Sequence, residues 1–431
     1  SDEWLKNLFE VFETYNFTID ENTSVDVELS IDPEMLGRVF ENLLAEINPE
    51  TGETARRKST GSYYTPRPIV EYMVDESLKQ YLLTKTKLSE EKISRLLTYS
   101  DVDTELSEKE KEAVVDALDT IKIIDPACGS GAFPMGMLQK MLLILQKVDP
   151  DSQNWLDRIL KKIDNSLERK MLQSKLEKEN VNYTHKLGII RDSMYGVDIQ
   201  PIAIEISKLR FFLSLIVEEK VTDKKEENRG IVPLPNLEFK FVCANTLIGL
   251  PKAEQGTDLF KWEDTESIQK LKNLREEYLT SSGKKKKQIE EKFNLTQNKM
   301  FKFYLHTLNK EQKDIAGQTI ATSKKKTKKQ ETSQTMLLSQ WNPFTEEPCE
   351  WFDPEWMFGI KDGFDIVIGN PPYVEAKKLK EVSQTLRKYY STYSGTADLY
   401  VYFYENGVRH LKENGTLIFI SSNKFIKTSY G

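Results

Sequence analysis

The sequence predicts an α/β fold built on an open, doubly wound parallel sheet, and three observations carry that reading. Five short apolar runs, at residues 121–125, 194–199, 239–244, 364–369 and 416–421, alternate with longer stretches whose apolar residues recur at helical spacing. Most of each run is apolar without a polar alternation, as a strand covered on both faces requires. Two of the runs end in turns crowded with glycine, proline and polar groups, DPACGSGAF after the first and NPPY after the fourth. Open parallel sheets place their ligands at such carboxyl ends.

Composition bounds the function before any motif does. The 431 residues carry 61 basic and 68 acidic side chains, a formal net charge of −7, and 39% of them are hydrophobic. That is an ordinary globular balance, with room for two or three domains at roughly 150 residues each. No apolar run approaches the roughly 18 residues of a bilayer span. Three cysteines (Cys128, Cys243, Cys349) exclude a disulfide framework, and a reducing cytoplasm is the expected compartment. Three histidines (His185, His306, His410) lie far apart without an HxxxH or CxxC companion, so no metal site is expected. Mild acidity confines any nucleic-acid contact to local basic patches or to parts of the protein outside this chain.

Taken in order, residues 1–60 read as a helical segment or connector: Trp4, Leu5, Leu8, Phe9 and Phe12 share one helical face, and Met35, Leu36, Val39, Phe40, Leu43 and Leu44 another. Residues 48–62 are rich in Gly, Thr and charge and read as a surface loop. Thr65 before Pro66 is a helix-start signal, with the hydroxyl available as a cap and a helix expected over about 66–83. Residues 61–249 then hold the first three strands. Residues 250–345 form a polar insertion, read as a helical pair with a flexible basic loop and two lysine clusters, at 284–287 and 324–329. Those clusters read either as solvated surface or as phosphate contacts. Residues 346–431 complete the sheet. The chain opens on Ser1 and stops at Gly431 just after a strand-like run, so it is expected to be cut at both ends.

The chemistry concentrates at three strand ends. Gly129 and Gly131 let backbone approach a ligand where a Cβ would clash, which suits a nucleoside-bearing cofactor. The turn lacks the GK[ST] that wraps a triphosphate, so ATP chemistry is disfavoured. The second run ends in YGVDIQP, placing Asp198 where it either accepts from both ribose hydroxyls or caps the next helix. After the fourth run, Pro371 and Pro372 stiffen a turn in which the Asn370 amide and the Pro371 carbonyl are fixed acceptors and Tyr373 is an aromatic wall. Two acceptors gripping the hydrogens of an exocyclic amine favour pyramidal nitrogen and its attack on an activated methyl group. Stacking on Tyr373 would be worth about 1–3 kcal/mol, comparable to the cost of flipping a base out of a duplex.

DPACGSGAF followed by NPPY, with GSYYTPRPIV upstream, resembles the amino-group DNA methyltransferases that make N6-methyladenine, in their gamma motif order. The segments DPEMLGRVFENLL, CANTLIG and DLYVYFYENGVRHLKENGTLIFISSNKFIKTSYG extend the likeness over most of the chain, to the methylase portion of fused Type IIG restriction-modification enzymes. The resemblance implies a Rossmann-like doubly wound methyltransferase sheet, with an N-terminal helical segment and a helical insertion, binding S-adenosylmethionine with residues 61–249 and carrying its catalytic motif in residues 346–431. It implies that Tyr64, Thr65 and Pro66 touch the methionine end of S-adenosylmethionine, and that Asp125, Ala127, Gly129 and Gly131 form its backbone cradle. Phe133 would pack against the cofactor, Asp198 would bind its ribose and Ile199 its adenine. Asn245 stands where the family's third motif often has an aspartate. Asn370, Pro371, Pro372 and Tyr373 match the catalytic tetrapeptide in full. The implied partner is double-stranded DNA with a flipped adenine, the implied system restriction-modification, and the nuclease and target recognition domains would lie on other parts of the same polypeptide. A protein glutamine amide or an RNA base would suit the same tetrapeptide, and a non-catalytic DNA-binding or assembly module is the reading of a different class.

Overall fold

The computed structural model describes residues 65–100, 102–161, 169, 181–218, 236–250, 264–279, 281, 283–317, 334–345, 347–375, 377, 379 and 383–427. The leading segment at 1–60, Tyr64 and the lysine cluster at 324–329 lie outside the described residues.

Helix α1 (Arg67–Thr86) follows Pro66, whose fixed φ suits a helix start, but no side chain caps it. The Thr65 hydroxyl, expected as that cap, instead accepts a hydrogen bond from Asn370. Helix α2 (Glu90–Leu97) opens on the Ser89 side chain, which accepts from the Lys92 N–H, and α3 (Glu108–Thr120) opens on a capping box of Ser107 and Glu110. Then come β1 (Ile123–Asp125), α4 (Ala132–Val148), α5 (Gln153–Lys161), α6 (Val181–Asp192), β2 (Met194–Asp198), α7 (Pro201–Ile216) and β3 (Phe241–Cys243). Helices α8 (Thr265–Leu279), α9 (Gly283–Gly317), α10 (Gln334–Gln340) and α11 (Pro354–Phe358) precede β4 (Phe364–Gly369). Helices α12 (Ser383–Tyr389) and α13 (Leu399–His410) lead to β5 (Leu411–Phe419) and a short 3-10 turn (Asn423–Lys427). No described helix is long and apolar enough to cross a membrane.

All five expected strands form one parallel sheet in the order β3-β2-β1-β4-β5. Only β5 begins well before its expected start. Helix α13 runs into it without a linker, and the polar Glu413, Asn414 and Gly415 are absorbed by a register shift in which Asn414 takes φ 62°. The sheet alternates between two cores. Ile123, Met194, Phe241, Ile366 and Ile368 face one, shared with α1–α7, while Ile124, Tyr195, Val197, Val242 and Val367 face the other. At its entry β4 is pinned by Asp365, which accepts from the Lys122 N–H at 2.9 Å and from Lys412 at 2.7 Å.

Much of the second core comes from residues read as an insertion. Leu271, Leu274 and Tyr278 of α8 and Ile289, Phe293 and Met300 of α9 recur at helical spacing and are buried against the sheet. Phe239 stands at the centre of an aromatic cluster, edge-on to Tyr278, Phe293, Trp341 and Phe344 at 5.4–6.1 Å. These helices therefore cover this face of the sheet together with Trp351, Phe352, Trp356, Met357 and Phe358 in and before α11, and belong to its core. Two cations of the first lysine cluster have carboxylate partners: Lys286 meets Glu238 at 2.8 Å over the Tyr278 ring, and Lys285 meets Glu277 at 3.6 Å. That favours a structural surface over phosphate contact.

His410, at the end of α13, packs edge-on to Phe352, and burial with the neighbouring Arg409 charge lowers its pKa from the usual 6.5 to about 4. A depressed folded-state pKa gives stability that is present above pH 6.5 and lost as pH falls through about 4. Wild type should therefore lose up to about 1.4 kcal/mol per pH unit across that window through this group. His410→Gln should remove that part of the slope, measured as the wild-type minus variant difference in urea unfolding; parallel curves from pH 7 to 4 would refute it.

Candidate functional site

Chain order turns between β1 and β4, and the two loops that leave these neighbouring strands build the centre of the site. Asp125 ends β1 at 1% exposure, and its Oδ1 accepts from the Ala127 N–H at 3.0 Å. Its Oδ2 is buried with no hydrogen-bond partner. Burial pushes this carboxyl well above the ordinary range; the Ala127 N–H opposes the shift and the Asp198 charge adds to it. Gly369 ends β4 directly alongside, and a Cβ there would lie 2.7 Å from Asp125 Oδ1. Only glycine lets the two strand ends meet this closely.

The loop after β1 turns through Gly129 at φ +52° and Gly131 at φ +82°, both left-handed. A Cβ at Gly129 would enter open space, whereas one at Gly131 would meet Ser207 Oγ at 2.9 Å. The loop's carbonyls are tied back to the scaffold: Ser207 Oγ donates to Gly129 O at 2.9 Å, Arg210 to Ser130 O at 2.7 Å and Thr246 Oγ1 to Pro126 O at 2.6 Å. Sequence reasoning missed these three residues. The available signal was weak, for α7 only the polar Ser207 and Arg210, which with Ser214 interrupt its largely apolar inner face.

Asp198, at the end of β2, accepts from the Gly129 N–H at 2.9 Å through Oδ2 and from the Gln200 N–H at 2.8 Å through Oδ1. It clamps the glycine loop to the start of α7. Each carboxylate oxygen keeps a further lone pair for a hydroxyl donor, so the clamp leaves capacity for a ribose. Burial raises the Asp198 pKa, against the lowering effect of the Gln200, Gly129 and Ile199 amides. Ile199 follows at 59% exposure, an apolar side chain held out beside this carboxylate. Asn245, after β3, turns its Oδ1 to the Leu247 N–H at 3.2 Å, so its side chain shapes its own turn. Phe133 is 3% exposed and belongs to the core beneath the loop, while Ala127 is partly exposed above it.

On the β4 side, Asn370 Nδ2 donates to Thr65 Oγ1 at 3.1 Å, bringing the segment before α1 onto the tetrapeptide. Pro371 is buried; Pro372 and Tyr373 are partly exposed. The Tyr373 ring tilts by 41° against Tyr400 at 6.2 Å and packs on a cluster of Val374, Leu386, Tyr390 and Tyr402. Burial raises its phenol above the usual 10, so it is neutral at physiological pH. The structure thus gathers Thr65, Asp125 and Asn370 at one point, Gly129, Asp198 and Ile199 at the next strand end, and Asn245 one strand further.

A buried carboxylate oxygen without a donor, open space above Gly129 and an exposed apolar side chain at the β2 end together suit a cationic ligand bearing a nucleoside. A rigid loop of acceptors beside an aromatic wall suits a planar amine.

Residues 192–431, more than half of the chain, match the family described as Eco57I restriction-modification methylase. The chain is 27% identical to the putative type II restriction enzyme and methyltransferase RM.MjaORFECS2P of Methanocaldococcus jannaschii, across 98% of this chain and 36% of that protein. Shorter stretches resemble the type II methyltransferase M.BstVI of Geobacillus stearothermophilus (45% identical over 16% of this chain and 12% of that protein). The type II restriction enzyme and methyltransferase RM.Eco57I of Escherichia coli is 38% identical over 16% of this chain and 7% of its own length. The chain therefore spans about a third of the fused relative that it matches from end to end. With the glycine loop and the proline-stiffened turn on adjacent strand ends, the chain belongs to the Eco57I restriction-modification methylase family.

Proposed function

We propose that this chain is the catalytic core of a site-specific DNA methyltransferase that transfers a methyl group from S-adenosylmethionine to adenine N6. The observation that carries the proposal is the close approach of Gly369 to Asp125, which supports an amine-gripping turn lying beside the carboxylate that would face the cofactor's positive charge. When bound, S-adenosylmethionine supplies a methyl group already activated on a sulfonium. The chain's part is orientation and electrostatics.

Asp125 would face the positive charge of the methionine end, where its partnerless Oδ2 gains an ion pair and its raised pKa is relieved. The glycine loop lets backbone lie close to the ligand, Asp198 would accept from the ribose hydroxyls and Ile199 would cover the adenine edge. Thr65 and Pro66, with Tyr64 before them, would close the methionine end. Asn370 Oδ1 and the Pro371 carbonyl would accept the two amine hydrogens of a flipped adenine stacked on Tyr373. The proton released on methylation leaves through solvent at the partly exposed tetrapeptide. Target recognition and any DNA cleavage are assigned to other parts of the polypeptide, and the cytoplasm to the whole.

The test is nucleoside mass spectrometry of adenine-unmethylated duplex DNA after incubation with the chain and S-adenosylmethionine, with thermal unfolding run alongside. N6-methyladenine should appear, and cofactor at 100 times its Kd should add about 2.7 kcal/mol of stability. The absence of both methylation and a thermal shift would overturn the proposal.

A further inference from the structure

An asparagine amide offers an acceptor at one end and a donor at the other, and the two ends are nearly the same shape. An asparagine that must present its oxygen to a substrate therefore needs something to engage its nitrogen. Thr65, only 6% exposed, accepts through Oγ1 from Asn370 Nδ2 at 3.1 Å across 305 positions of sequence. The hydroxyl is itself well anchored: the Pro66 carbonyl beside it accepts from the Ile69 and Val70 N–H groups, and α1 packs on β4 and β5. Its position relative to the end of β4 is thus set by packed secondary structure and not by a free loop.

We infer that Thr65 is a positioning residue for the tetrapeptide, locking the Asn370 amide with its Oδ1 toward the target amine. The inference rests on the methyl-transfer reading above and adds a task that cofactor contact alone would not give this residue. A hydroxyl can donate as well as accept, so the lock is completed by the substrate. With an amine donor at one end of the amide, the arrangement that satisfies both ends has Nδ2 on Thr65; the flipped amide sets NH2 against NH2. Thr65 also belongs to the segment expected to touch the methionine end, so one side chain would couple the cofactor side of the site to the orientation of the amide.

The test compares Thr65→Val, which keeps the shape and loses the hydroxyl, with Thr65→Ser, which keeps the hydroxyl. Three quantities are read on the full chain: kcat on unmethylated duplex DNA, the Kd of S-adenosylmethionine by calorimetry, and hydrogen exchange of the Asn370 side-chain amide in protein labelled with 15N-asparagine. Thr65→Val should lower kcat at saturating cofactor about tenfold and speed amide exchange, beyond whatever its contact at the methionine end costs in cofactor Kd, and Thr65→Ser should restore both readings. Retained kcat and protection in Thr65→Val, failure of Thr65→Ser to rescue, or a loss confined to cofactor Kd would each overturn the lock. If wild type transfers no methyl group, the functional reading fails separately, and equal amide exchange in the wild-type and valine proteins would then overturn the lock by itself.

Discussion

Asn370→Ala is expected to lower kcat for methyl transfer by about 10²–10³-fold, the usual loss when one fixed polar group is removed from a reacting centre. Cofactor binding should survive almost intact, because Asn370 lies on the β4 side while the glycine loop and Asp198 clamp lie on β1 and β2. The fold should survive too, since the side chain is partly exposed and its hydrogen bond to Thr65 is worth only about 1 kcal/mol. Tyr373→Ala should resemble it in leaving cofactor Kd unchanged, but with DNA affinity lowered through lost stacking of about 1–3 kcal/mol. Single-turnover methylation with parallel cofactor titration reads both. Equal losses of cofactor affinity and kcat would show that the tetrapeptide is not a separate functional unit.

Asp125→Asn is expected to weaken S-adenosylmethionine about tenfold to a hundredfold and yet to stabilise the cofactor-free protein. The affinity loss follows from removing a charge opposite a cation, worth about 1.5–3 kcal/mol. The stability gain follows from the raised carboxyl pKa. Because the folded state holds the proton more tightly than the unfolded chain, this group's contribution is favourable below the ordinary carboxyl range near 4 and is lost as pH rises through the folded value. Asparagine cannot ionise, and its oxygen can still accept the Ala127 N–H. The melting temperature of the variant should therefore exceed that of wild type at pH 7.5, with the difference closing toward pH 4. A melting temperature at or below wild type at pH 7.5, or an unaltered cofactor Kd, would remove Asp125 from its place opposite the cofactor's positive charge.

What could be read from the chain, and what could not, divides along the range of the interactions involved. The strands announced themselves because burial on both faces leaves an apolar run, and the glycine and NPPY turns because their residue types are demanded by backbone geometry. The carboxyl-end placement of Asp125, Gly129, Asp198 and Asn370 followed from that alone. Thr65 was misread as a local cap because its true partner stands 305 residues away. Ser207, Arg210 and Thr246 escaped for the same reason: each is defined by a loop carbonyl brought to it by tertiary packing. The insertion's composition suggested a polar helical pair with a flexible basic loop. Its apolar residues are sparse but arranged on one helical face, and that face finds the sheet.

The pairing of β1 with β4 also governs the order in which the chain can be completed. The Lys122 to Asp365 bond closes over 243 residues, so the central strand leaves the ribosome long before its second neighbour exists. At synthesis rates of about 5–20 residues per second, β1 waits roughly 12–50 seconds with one edge unpaired. Only after β2 and β3 have emerged can the three strands pair, and the edge of β1 still open then is the one that will later complete the reaction centre. An unpaired edge of this kind invites association with other chains. The step that assembles the site is therefore also the step that ends the protein's exposure to misassembly, and variants that slow the arrival of β4 should be recovered as aggregate before they are recovered as inactive enzyme.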